Sequence, residues 1–171
     1  MANELVAELR PRDFMRANGP LSMVDVAPIG VLGGLRLLKS DTSGFYALIR
    51  VPANLTVGTG YTAKALVVDD GADAADPGKV IVVGATLKVL ASGTDYATFA
   101  SDDIGTETTA SVTLDATAGQ VVEGSLAIAN ANADGVGAGS WAIVRVRRIG
   151  TNASDTCLGT AILLGVHILN T

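Results

Sequence analysis

Few residues in this chain could do chemistry, and their spacing limits what that chemistry could be. His167 and Cys157 are the single histidine and single cysteine among 171 residues. A general base needs a nucleophile or a reactive water, and a partner that orients it. His167 sits in the apolar run Val166-His167-Ile168, where its neighbours face the opposite side of a strand, and no residue spaced around it supplies those groups. It reads as a strand histidine at a sheet surface or an interface. Cys157, between Thr156 and Leu158, has no intrachain disulfide partner and no Cys/His set for zinc; it reads as a small packed residue. Asp102 and Asp103 are adjacent, so on a strand they face opposite ways and cannot act as an acid–base pair. Gly30, Gly33 and Gly34 do not form the dinucleotide fingerprint, and no P-loop Gly-Lys-Ser/Thr is present.

The acidic run Asp69, Asp70, Asp73 and Asp76 raises the question of calcium, which takes about six to eight oxygens. An EF-hand loop counted from Asp69 would place its bidentate Glu at Val80, and no flanking helices are readable. Asp and Gly are ordinary turn residues, so the run reads as a solvated acidic turn. No cofactor and no metal is expected. Asn54-Leu55-Thr56 and Asn152-Ala153-Ser154 match the glycosylation acceptor. The N-terminal residues carry acids and no long apolar run, which does not read as a secretory signal, so the match is given no weight.

Charge narrows the partners. The formal net charge is -5, from 12 Lys+Arg and 17 Asp+Glu. Nucleic-acid affinity rests on neutralising phosphates, so no nucleic-acid role is expected. The one basic cluster is Arg145, Arg147 and Arg148: the first two share a strand face and Arg148 points to the other, as salt-bridge or interface residues do. The apolar runs near 80–83 and 158–169 fall short of the roughly 20 residues of a membrane span, so no membrane partner is expected.

These residues must be positioned by strands. Hydrophobic residues make up 49% but aromatics only 4%, so the apolar content is mostly aliphatic and suits pleated sheets. Strand-like runs cover 31–38, 45–51, 61–68, 79–90, 110–114, 121–129, 141–149 and 160–169. Asn/Asp/Gly clusters separate most of them, and βα alternation is absent. Gly84 inside the long run reads as a bulge or bend. Trp141, Ile143, Arg145 and Arg147 share one face, against Ala142, Val144 and Val146. Ile162, Leu164, Val166 and Ile168 share a face of the last run. Residues 1–28 differ: Asn3 can cap a short helix through Leu9, Pro11 ends it, and Asn18-Gly19-Pro20 and Pro28 are breakers. The expected fold is all-β, a jelly-roll-like antiparallel β-sandwich of about eight strands over 29–171. An extended, partly helical N-terminal arm, 1–28, precedes it.

One stretch carries a family likeness. Trp141-Ala-Ile-Val-Arg-Val-Arg-Arg148 leads through Asn152-Ala-Ser-Asp-Thr156 to Ala161-Ile-Leu-Leu-Gly-Val-His-Ile168, and Phe45-Tyr-Ala-Leu-Ile-Arg-Val-Pro52 is an earlier strand closing on proline. Together they resemble the jelly-roll structural proteins of tailed bacteriophages, in which a strand ending in arginine passes through an Asp-Thr turn into a last apolar strand. Leu169-Asn170-Thr171 stands where that family often closes on tyrosine. The resemblance implies a non-enzymatic virion protein made in the host cytoplasm. Its expected role is capsid decoration (cement), with the major capsid protein and other copies of itself, as a homotrimer, for partners. The arm would grip them through Leu5, Leu9, Phe14 and Met15, with Arg10, Arg12 and Arg16 pairing with acidic groups. The alternative is a fibre or tail module that binds a host-surface glycan.

Overall fold

In the computed structural model the apolar runs become ten strands among the described residues, which are 4–16, 26–29, 32–40, 44–56, 58–71, 73, 75–92 and 105–171. They are β1 (Glu4–Leu9), β2 (Val26–Ile29), β3 (Leu32–Leu37), β4 (Phe45–Arg50), β5 (Gly60–Asp69), β6 (Val80–Val89), β7 (Thr108–Thr113), β8 (Val121–Ala129), β9 (Trp141–Arg148) and β10 (Ala161–Asn170). One sheet has the order β2-β3-β10-β5-β8, with β1 also on β10; the other has the order β4-β9-β6-β7. Every pairing is antiparallel. From β3 onward the chain crosses between the sheets so that β3-β10-β5-β8 faces β4-β9-β6-β7, which is the jelly-roll arrangement of two Greek keys.

Alternation does the packing. Ala142, Val144 and Val146 of β9, Ala63, Ala65 and Val67 of β5, and Ile81, Val83, Ala85 and Leu87 of β6 all enter one core between the sheets. Small Ala side chains against Leu, Ile and Phe let two twisted sheets interdigitate at close range.

Three local expectations are corrected. Residues 4–9 form a strand, not a helix. β3 pairs only with Ala161, Ile162 and Leu163 of β10, which leaves the rest of that edge of β10 with open backbone groups; β1 pairs there, from Glu4 opposite Asn170 to Leu9 opposite Val166. Six residues with mixed helix and strand preference follow the available ladder rather than their own propensity. Gly84 is not a bulge, since β6 pairs in continuous register with both β7 and β9. Its bare Cα makes room for the Glu107 carboxylate, which a Cβ would meet at 2.6 Å. The bulge lies instead in β10, between Leu163 and Gly165. It flips the side-chain phase, so the expected single face splits. Val166 and Ile168 join the core with Leu163, while Ile162 and Leu164 pack with Val68 in a separate small cluster.

Candidate functional site

The outer face of the four-stranded sheet is built row by row by strand register. Arg50 of β4 stands opposite Trp141 of β9, and Leu90 extends that row, its amide donating to the Trp141 carbonyl at 2.8 Å. Next come Leu48, Ile143 and Lys88, then Tyr46, Arg145 and Thr86. Met15 bridges to Tyr46 at the β4 edge. On this one face Trp141 is 46% exposed, Leu48 49% and Met15 43%. An apolar stripe of this kind on an otherwise well-packed sheet marks a contact surface rather than stray exposure. The Arg50 guanidinium lies 5.2 Å from the centre of the Trp141 ring, within cation–π range.

The loop entering β9 is fastened up to the residue before Trp141. The Tyr61 hydroxyl donates to the Val136 carbonyl at 3.0 Å, and burial raises that phenol above its ordinary pKa. The Ser140 hydroxyl donates to the Gly137 carbonyl at 2.6 Å, and the Val51 amide donates to the Ser140 carbonyl at 2.9 Å. Asp134, in the left-handed region at φ 47°, holds Lys88 at 3.4 Å. The Glu107 carboxylate accepts from Arg147 Nε at 2.7 Å and Nη2 at 2.6 Å, and from Arg145 Nη2 at 3.2 Å. Beside that cluster, Thr86 Oγ1 and Arg145 Nε are buried without a hydrogen-bond partner.

Arg148 does different work. Its inward side chain is fully buried and grips Asp155, with Nε to Oδ2 at 2.8 Å and Nη2 to Oδ1 at 2.6 Å. It also donates to the Gly159 and Cys157 carbonyls, each at 2.5 Å. Asp155 accepts from the Val82 amide at 3.1 Å, and the Thr156 hydroxyl accepts from the Val80 amide at 3.0 Å. The Arg-to-Asp-Thr pattern is thus a staple that fastens the β9–β10 loop to β6. Cys157 packs in the core, and burial pushes its thiol up to about 11, which removes it from nucleophilic chemistry at neutral pH.

The acidic turn is less solvated than its composition implies. Asp76 is buried and accepts from the Leu158 and Gly159 amides at 2.8 and 2.7 Å. Asp69 is buried, and neither carboxylate oxygen makes a well-formed hydrogen bond. Burial raises its pKa, with Asp70, Asp76 and Asp73 adding to the rise, while the Gly71 amide, close by but poorly placed to donate, pulls the other way. Among the described residues no group of three or more His, Cys, Asp or Glu side chains converges on a metal position. His167 is half-buried on β10, opposite Glu8 and Lys64. Asp102 and Asp103 lie outside the described residues.

The residues expected to form a gripping arm are dispersed. Leu9 and Phe14 are buried in this chain's own core. Arg10 pairs with Glu8 at 3.1 Å, and its amide donates to Asp13 Oδ2 at 2.7 Å. Arg12 lies in the short 3-10 turn Pro11–Asp13. The Arg16 guanidinium lies 4.4 Å from the centre of the Phe45 ring. Leu5 and Met15 are exposed, and only Met15 belongs to the face described above.

No family model and no curated relative matches the sequence. Solved structures do resemble the fold. One is the CBM22-1 xylan-binding domain of Xyn10C from Paenibacillus barcinonensis, with TM-score 0.48 and 9% identity over 99% of this chain and 97% of that one. Another is the xylan-binding module CBM15, with TM-score 0.46 and 14% identity over 98% and 97%. A third is a variant of Xylanase10C from Cellvibrio japonicus in complex with xylopentaose, with TM-score 0.46 and 13% identity over 98% of this chain and 28% of that one. None of the three is a virion protein. The capsid-decoration expectation is corrected on this chain's own packing, which removes its mechanical basis. An arm whose Leu9 and Phe14 are already spent inside its own sandwich cannot use them on a neighbour.

The exposed face was half legible beforehand. Alternation put Trp141 on the side of Ile143, Arg145 and Arg147, but nothing local signalled that Arg50, Leu48 and Met15 would stand beside it. The signal that could have found them was the match between two alternating runs, 45–50 and 141–148, each with an apolar inner set.

Proposed function

We propose that this chain is a non-catalytic carbohydrate-binding module whose ligand lies on the outer face of the four-stranded sheet. The observation that carries this reading is Trp141, a half-exposed indole mounted on a strand and backed by a fastened loop. A sugar ring offers a face of C–H groups and a rim of hydroxyls. The indole takes the first as flat apolar area, while Arg50, Lys88 and Tyr46 place donors around it for the second. Leu48 and Ile143 supply the apolar floor between them. Residues set on strands hold such geometry with little entropy left to lose on binding.

The chemistry ends at binding. Glycoside hydrolysis needs two free carboxyl groups across the bond. The acids described on this face, Glu107 and Asp134, are held by Arg145 and Arg147 and by Lys88 respectively. The test is affinity gel electrophoresis of the purified chain through a panel of soluble polysaccharides. Retardation by at least one polymer is expected, with Trp141→Ala weakening it about tenfold or more. No retardation by any polymer, or retardation untouched by Trp141→Ala, would overturn the reading.

A further inference from the structure

Among the described residues of the same face, Glu107 is held by Arg145 and Arg147, and Asp134 by Lys88. Arg50 differs: it is exposed, lies over the Trp141 ring and has no acidic partner among the described residues. On a chain whose net charge is -5, it is a local cation against a negative background.

We infer that the ligand of this face is an anionic glycan whose sugar carboxylate pairs with Arg50 while its ring stacks on Trp141. The inference rests on the glycan reading above and names the ligand class of that same site. Directly opposed residues on antiparallel strands place their Cβ atoms about 4.5–5.5 Å apart, a spacing that one pyranose spans, so a single uronate residue can touch both side chains. A guanidinium can stack by its flat face and still present its fork of N–H donors to a carboxylate. Lys88 lies diagonally from Trp141, on β6, at the roughly 7–8 Å expected of diagonal neighbours, where the next sugar along a chain would lie. The negative charge over the rest of the surface repels polyanions, so attraction is confined to this face and requires the stacked ring as well.

The experiment compares a uronan, polygalacturonate, with the same polymer after its carboxylates are reduced to hydroxymethyl groups, using the full chain and low salt. Expected is binding of the uronan about tenfold tighter than of the reduced polymer, as one charge-assisted pair supplies, with the preference shrinking as NaCl is added. Arg50→Gln should bring the two polymers to within about twofold of each other, and Trp141→Ala should weaken both. Equal binding of both polymers overturns the anionic inference and leaves the glycan reading standing. Equal affinity for polyglutamate, which has carboxylates and no sugar, also overturns it. If neither polymer nor any other polysaccharide binds, the glycan reading falls and takes this inference with it.

Discussion

Replacing Asp155 by alanine would strand the Arg148 guanidinium inside the protein. Both side chains are fully buried and joined by two hydrogen bonds, at 2.6 and 2.8 Å. Removing one member of such a pair costs about 3–5 kcal/mol, because the remaining charge stays desolvated without its counter-ion. Two features pull in opposite directions here. Arg148 keeps the Gly159 and Cys157 carbonyls, which softens the loss. The Val82 amide loses its acceptor, which adds to it. At about 2–4 °C per kcal/mol for a chain of this length, the expected fall in Tm is about 6–20 °C. The internal standard is Lys64–Glu123, a 2.7 Å pair with both side chains substantially exposed. Exposed pairs are worth about 0.2–1 kcal/mol, so Glu123→Ala should move Tm by less than about 4 °C. Asp155→Asn, which keeps the shape and loses the charge, should fall between the two. Thermal melts by circular dichroism read all three. A Tm for Asp155→Ala as close to wild type as that of Glu123→Ala would refute the reasoning.

Two further outcomes are expected. Burial raises the pKa of Asp69, so the folded state holds that proton more tightly than the unfolded one; stability is lost as pH rises from the ordinary carboxylate value through the raised one, and stays lower above it. Asp69→Asn should therefore raise Tm at about pH 7 and lose that advantage near about pH 4, where the wild-type carboxyl is protonated; a lower Tm at neutral pH would contradict this. Leu9→Ala should cost about 2–4 kcal/mol in urea unfolding, because Leu9 belongs to the core, whereas exposed Leu5→Ala should stay within about 0.5 kcal/mol. Equal, small effects would mean that residues 4–9 do not pair with β10.

Much of the sandwich was legible in the residues alone. The eight expected runs match β3 to β10 within two residues at each end, because period-two alternation and Gly/Asp/Asn turns are local properties. So was the placing of Arg145 and Arg147 on one strand face and Arg148 on the other; which face turns inward was not. What local pattern could not decide was partnership. Residues 4–9 are strand because one edge of β10 has backbone groups to satisfy, and no property of Glu-Leu-Val-Ala-Glu-Leu encodes that vacancy. The β10 bulge falls between Leu163 and Gly165, and the Leu9 carbonyl would lie 3.0 Å from a Cβ on Gly165, so the room a glycine leaves there is used by a neighbour about 155 residues away in sequence. The candidate site follows the same division. Trp141 and its outward face are written in β9, but Arg50, Leu48 and Met15 join it only through inter-strand register. Register is set by the core that both sheets bury, not by any segment on its own.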